Sequence, residues 1–260
     1  MTWAAKRKFF YSSIVILIFG FLLFLIIRPY VNKAPTCFDN KQNGEESGVD
    51  CGGTCQIACT FEVDQVSIRW ARTFEVVPGR YNAVAYLENH NQDRIVNSIS
   101  YRFRFADKDN VYIGKREGTA YIPPSSKFAI FEPAIDLGNS VPVYTTFEFT
   151  QNPVWFNVLG LKVDQLKILV SDIKLENEDM SPRLSAFLKN NSLVEIPEVN
   201  VVAILYDAKG NAVNASKTYL EKLSGEESVQ VNFTWPQPFS GQIVQKEIIP
   251  VFNILSVKLK

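Results

Sequence analysis

Nineteen consecutive uncharged residues, Phe9 to Ile27 (FFYSSIVILIFGFLLFLII), constrain this chain more than any other feature. As a helix rising 1.5 Å per residue the run is roughly 28 Å long, close to the bilayer's hydrocarbon thickness of about 30 Å. Ser12, Ser13 and Gly20 are compatible with lipid, because a serine hydroxyl can bond back to its own helix's carbonyls and glycine is common in membrane helices. A cleaved export signal has a shorter apolar core ending in small residues. This run ends in Leu25-Ile26-Ile27-Arg28-Pro29-Tyr30. A helix of a soluble core is not normally apolar on every face. Residues 9–28 are therefore expected to be an uncleaved membrane anchor, with lipid as partner. Lys6, Arg7 and Lys8, with the amino terminus, outweigh Arg28 and Lys33, which predicts residues 1–8 in the cytoplasm and 34–260 outside it.

All four cysteines fall just beyond the anchor, spaced Cys37-x13-Cys51-x3-Cys55-x3-Cys59. Outside a membrane, in a stretch too short for a core, an even number of cysteines predicts two disulfides, and the sequence leaves three connectivities open. A four-cysteine zinc site lacks its usual C-x2-C knuckles. Residues 34–59 thus read as a cross-linked collar. Within it, Asp39 to Asp50 has the length of a calcium loop, with side-chain oxygens at Asp39, Asn43, Ser47 and Asp50, Gly44 at the turn and the Glu45 carbonyl beside it. Lys41 stands where an acid or amide is usual, Asp50 replaces the closing Glu, and no helices flank the loop. A weak calcium site and a polar loop closed only by disulfides both remain open, and no other cofactor is indicated. Cys37, Asp39, Asn43, Glu46, Gly48, Asp50, Cys51, Gly52, Gly53 and Cys55 resemble a short motif of bacterial envelope proteins, C-x-D-x-x-x-N-x-x-E-x-G-x-D-C-G-G-x-C. The resemblance implies a surface or exported protein and no known activity.

The remainder repeats itself. VDQVSI (63–68) recurs as VDQLKI (163–168), AYLENHN (85–91) as AFLKNNS (186–192), and SYRFRFADKDN (100–110) as VAILYDAKGN (202–211). Phe131 and Gly138 fall near the spacing of Phe233 and Gly241, and NPVWFNV (152–158) echoes IPVFNIL (249–255). Self-similarity in constant order predicts two copies of one domain, 60–158 and 160–260. Each reads as β-structure. Ser100 to Phe105 alternates strictly, and Asn200 to Asp207 is a β-rich run ending in the turn Ala208-Lys209-Gly210-Asn211. Further strands are expected at 82–88, 127–132, 144–149, 165–175, 184–189, 228–234 and 247–258. About seven short strands in roughly 100 residues match an immunoglobulin-like sandwich without the antibody cysteines. The expected fold class is all-β: two tandem immunoglobulin-like β-sandwiches after an N-terminal transmembrane helix.

Leu188-Lys189-Asn190-Asn191-Ser192, Leu205-Tyr206-Asp207, Gly210-Asn211 and Leu223-Ser224-Gly225-Glu226 resemble the FxLYD-type β-sandwich domains of prokaryotic envelope proteins. Ala203 replaces that motif's Phe, and copy one keeps only Phe103-Arg104-Phe105-Ala106. The resemblance implies binding or spacing and no catalytic residues.

Lys+Arg and Asp+Glu are both 27, so the cationic excess of a nucleic-acid binder is missing. The single histidine, His90, sits at an expected strand end, which removes the usual route to Ser-His-Asp or Cys-His catalysis. Asp64 and Asp164 are equivalent positions of two copies and not a catalytic pair. Asn190-Asn191-Ser192, Asn214-Ala215-Ser216 and Asn232-Phe233-Thr234 are formal glycosylation sequons. The function expected is a non-enzymatic binding or accessory module of the cell envelope with a protein partner. The alternatives are a scaffold or assembly subunit of export or surface-appendage machinery and, third, an enzyme.

Overall fold

A computed structural model describes residues 3–31, 36–158 and 165–258. It opens on one helix, α1 (Trp3–Val31), and is mostly strand thereafter. The membrane-length stretch of α1, Trp3–Arg28, is buried nowhere against the chain, so it is not a core helix. Ser13 returns its hydroxyl to the Phe9 carbonyl at 2.9 Å, which satisfies the hydroxyl within the helix itself.

Copy one contains β1 (Ser67–Val77), β2 (Arg80–Asn89), β3 (Arg94–Ala106), β4 (Tyr112–Ile122), β5 (Ser126–Asp136), β6 (Tyr144–Phe149) and the short β7 (Trp155–Asn157). Its sheets are β1-β2-β5 and β4-β3-β6, with β7 pairing the start of β3. Copy two contains β8 (Ile168–Glu176), β9 (Arg183–Asn190), β10 (Ile196–Tyr206), β11 (Ala212–Leu223), β12 (Ser228–Thr234) and β13 (Gln245–Val251), in sheets β8-β9-β12 and β11-β10-β13. The strand order is the same in both. β1, β4 and β11 were not anticipated: they lie at sheet edges, half exposed, where the apolar alternation is weak. The last strand stops at Val251, short of the expected 258, because Asn253 accepts the Leu255 N–H and starts a 3-10 turn, Ile254–Ser256.

The ladders agree around their central residues. Leu87 lies between Ile68 and Phe128, and Leu188 between Val170 and Val229. Register slips at Phe105/Ala106 against β4 and at Leu205/Tyr206 against β11. The turns that follow have one geometry. Asp107 Oδ1 accepts the Asp109 and Val111 N–H groups, and Asp207 Oδ1 accepts those of Lys209 and Asn211. Asn110 and Gly210 both take positive φ there, a conformation that favours Gly and Asn.

Three of the sequence echoes are out of register. Ile68 pairs Leu87 whereas Val170, and not Ile168, pairs Leu188, so VDQVSI and VDQLKI are displaced by two residues. Phe131 pairs Val84 and is therefore equivalent to Asn232, which pairs Ser185; Phe233 pairs Leu184 one step further on. A single residue of offset turns a side chain to the opposite face, so Phe131 and Phe233 do different jobs. Similarly Phe149 pairs Tyr101 and Pro250 pairs Val201, so the NPVWFNV and IPVFNIL strings are not ladder equivalents. Val163 and Asp164, and with them the Asp64–Asp164 equivalence, lie outside the described residues.

Three apolar layers separate four sheets. The core of copy one joins Ala83, Ala85, Leu87, Phe128 and Ile130 to Ile99, Tyr101, Phe103 and Phe105. The core of copy two joins Leu184, Ala186, Leu188, Val231 and Phe233 to Val201, Ala203, Leu205 and Ile248. Between them a third cluster packs Phe74, Val84, Tyr86 and Phe131 of copy one onto Val202, Ile204, Tyr206, Ala212, Ala215 and Ile249 of copy two. The sheets therefore stack as β4-β3-β6, β1-β2-β5, β11-β10-β13, β8-β9-β12. The two inner sheets are buried on both faces, which is why Ala83–Leu87 and Val201–Tyr206 are unbroken apolar runs.

Candidate functional site

The collar is held by Cys37–Cys55 and Cys51–Cys59, one of the three pairings the sequence left open. Its loop is organised by acids accepting backbone donors. Asp50 takes the N–H groups of Asp39 and Asn40 at 2.9 and 2.8 Å. Asp39 takes the Lys41 N–H and the Asn43 side-chain amide, and Glu46 takes the Asn43 N–H. Gly44 turns with φ 58°, as anticipated. Glu45 lies at the loop's crossing point, its carbonyl pressed on Gly53, and Ser47 donates its N–H to the Cys51 carbonyl. Of the five oxygen-bearing positions named from the sequence, hydrogen bonds bring Asp39, Asn43 and Asp50 together, while Glu45 and Ser47 meet Gly53 and Cys51. The carboxylate oxygens of Asp39 and Asp50 are engaged with the loop's own N–H groups. The collar joins copy one through a bridge between Ile57 and Phe156 and through Asn157, whose amide donates to the Cys55 carbonyl at 2.6 Å.

The seam between the inner sheets carries a polar arrangement of its own. Glu247 of β13 accepts the Tyr86 hydroxyl on one oxygen at 2.8 Å and the Tyr206 hydroxyl on the other at 2.7 Å. One carboxylate therefore ties a strand of each copy. Burial, then the carboxylate itself, pushes both phenols well above their ordinary value. Trp70 stacks on Tyr86 at 5.4 Å, Arg72 stands over Trp70, and the Arg72 guanidinium donates to the Ala212 carbonyl across the seam. Asn82 donates to the Ala215 carbonyl nearby. Sequence reading assigned Trp70 to core or domain-junction packing and missed Arg72, Asn82, Tyr86, Tyr206 and Glu247. The unbroken apolar runs were a usable signal for Tyr86 and Tyr206; nothing in the chain singles out Glu247.

A second buried acid, Glu132, accepts from the Tyr101 hydroxyl and from Arg116 Nε, closing the copy-one sandwich where β4 meets β5. Desolvation and this acid push the Tyr101 phenol up. Both carboxylate oxygens are thus occupied by donors within the fold. His90 is exposed beside Glu88 at 3.8 Å, and hydrogen bonding to Arg69 holds that carboxyl below the usual range. Asn190, first residue of a formal sequon, is 0% exposed. It donates to the Val194, Leu223 and Ser224 carbonyls and accepts from Ser192. Asn89 has the same task in copy one, donating to the Arg94 and Pro123 carbonyls and accepting from Asn91.

Two clefts adjoin these features. One of about 460 Å³ lies at the rim of the seam between Glu75, Val76 and the Trp235–Gln242 loop. Another of about 640 Å³ lies where the collar's exit, Thr60–Val66, crosses Phe147, Phe149 and Trp155. Trp235 is buried, with Nε1 donating to Asn214, so it offers no open stacking platform.

No protein family matches the sequence, and no curated protein does. Among solved structures, a transglutaminase of red sea bream aligns with a TM-score of 0.25 at 8% identity, covering 73% of this chain and 31% of that one. A β-glucuronidase of glycoside hydrolase family 2 aligns with a TM-score of 0.22 at 9% identity, covering 85% and 29%. The chain spans less than a third of either protein, and neither likeness carries an inference about its activity.

Proposed function

We propose that this chain is a single-pass membrane protein whose extracytoplasmic part is a non-enzymatic binding or accessory module of the cell envelope, built from two duplicated immunoglobulin-like sandwiches. The observation that carries the reading is the seam. Two sandwiches of one strand order are fused by a buried apolar layer and the Tyr86–Glu247–Tyr206 tie into one four-sheet body. That body follows a cross-linked collar and a membrane-length helix. Such a body suits the display of a surface at a set distance from a membrane. The acids of the collar are occupied by N–H donors, which supports a disulfide-closed spacer over a calcium loop. The engagement of Glu132 and Glu247 with tyrosine and arginine donors supports structural rather than catalytic roles for both. The stiffness implied by a continuous stack also favours the second reading, a scaffold in export or appendage machinery.

The test is topological. A reporter active only in the cytoplasm, fused after Lys260, is expected to be silent, and external protease is expected to degrade residues 34–260 on intact or outer-layer-stripped cells. An active reporter with a protected C-terminus overturns the reading.

A further inference from the structure

The collar cannot stray far from the helix. α1 ends at Val31 and the first disulfide begins at Cys37, so covalent geometry alone keeps that disulfide within about 22 Å of the helix end. The interfacial zone of a bilayer is itself roughly 5–7 Å deep on each side. On this tethered collar and the turn that leaves it, Thr60–Glu62, three apolar side chains face outward: Phe38 is 80% exposed, Phe61 71% and Val49 56%. The cross-links gather them. Asp50 grips the N–H groups of Asp39 and Asn40, which seats Phe38 beside the Val49–Asp50 segment. The Phe61 ring comes within 3.4 Å of the position where Gly48 would carry a Cβ. Exposed aromatic groups clustered on a small rigid element mark a contact surface, and side chains of this kind favour the boundary between headgroups and acyl chains.

We propose that Phe38, Val49 and Phe61 form a lipid-docking face that seats the collar in the interface of the bilayer holding α1, fixing the height and tilt of the four-sheet body. The proposal rests on reading α1 as the membrane anchor. The lipid it fits is zwitterionic: the collar carries Asp39, Glu45, Glu46 and Asp50 against Lys41, and the turn after it adds Glu62, so an anionic surface repels it. Tethering makes even a weak insertion effective, since the face is always presented at high local concentration.

The experiment uses the full chain in phosphatidylcholine nanodiscs, with p-benzoylphenylalanine placed singly at Phe19, Phe38, Phe61 or Phe187. All four side chains are exposed, so the substitutions leave the packing intact. On irradiation, the expected result is a mass gain of one phospholipid at positions 19, 38 and 61 and none at 187, on the β8-β9-β12 sheet. Lipid at 19 without lipid at 38 and 61 overturns the docking face and leaves the anchor standing. Lipid at none of these positions overturns both. Equal labelling at 187 shows unspecific contact and also overturns the docking face.

Discussion

A few residues fix what their neighbours do. Asn190 donates to three carbonyls after β9 and shares only that of Val194 with the Ser192 hydroxyl, so Asn190→Ala leaves the Leu223 and Ser224 carbonyls without their side-chain donor. Leaving buried acceptors unpaired costs about 1–3 kcal/mol each, and the variant is expected to lose about 3 kcal/mol or more in urea unfolding. A loss under 1 kcal/mol would show that water replaces the amide. Gly53 is constrained more severely. Its φ is +55°, and a Cβ there would lie 1.7 Å from the Glu45 carbonyl oxygen. Gly53→Ala is expected to block closure of the collar, read as free thiols in the unfolded, unreduced protein where the parent has none. The tyrosines of the seam make a pH prediction. Both have folded-state values above the ordinary 10, so their contribution is complete below about pH 10. It is lost as pH rises further, because the unfolded phenols ionise while the folded ones resist. Stability should therefore fall above pH 10. The double variant Tyr86→Phe, Tyr206→Phe should be about 1–3 kcal/mol less stable at neutral pH, with a shallower alkaline decline. An unchanged decline would place the sensitivity in the other raised phenols, Tyr81, Tyr101 and Tyr121.

At the scale of strands, β3 and β10 show how one template serves two settings. They share strand order, bulge and turn, and their inward residues, Phe103 and Phe105 or Ala203 and Leu205, fill a sandwich core. Their other faces differ. Val202 and Ile204 of β10 are buried in the seam, whereas the equivalent Arg102 and Arg104 of β3 meet water. Arg102 bonds Glu117 at 2.6 Å and Glu148 at 3.3 Å, and Arg104 reaches Glu148 at 2.9 Å. The seam joins non-equivalent sheets of the two copies, a head-to-tail contact that does not close on itself. The arginines of β3 put paired charge on the face where a further sheet would add. Replacing them by their copy-two counterparts, Arg102→Val with Arg104→Ile, is expected to produce concentration-dependent association in sedimentation of the detergent-solubilised chain. A variant that remains monomeric would show that backbone fit, and not charge, limits the stack.

For the whole molecule, the shared layer predicts cooperativity. Two sandwiches linked only by a flexible segment would melt independently; here each inner sheet exposes Val84, Tyr86 and Phe131 or Val202, Ile204 and Ile249 if its neighbour leaves. Calorimetry of the full chain should give a single transition. Val202→Asp, which buries a charge in the seam, is expected to split that transition and to lower the stability of the assembled state by about 3 kcal/mol or more. Two transitions in the parent protein would mean that the seam is too weak to couple the copies.

The helix, the all-β class and the clustering of the cysteines were all readable in the chain, because each depends on local composition or on a period of two. So was the likeness of AYLEN and AFLKN, which keep one inward pattern whatever lies outside them. The Phe131 and Phe233 offset was invisible, because string similarity cannot detect a one-residue change of face. Disulfide pairing was also undetermined, since spacing permits every pairing and only the folded collar brings Cys37 to Cys55 and Cys51 to Cys59. The unbroken apolar runs of β2 and β10 read only as strands, and what covers their second face was not in the chain. That was decided in three dimensions, where burying both runs against each other removes two apolar faces from water at once, and Glu247, distant in sequence from Tyr86, closes the contact.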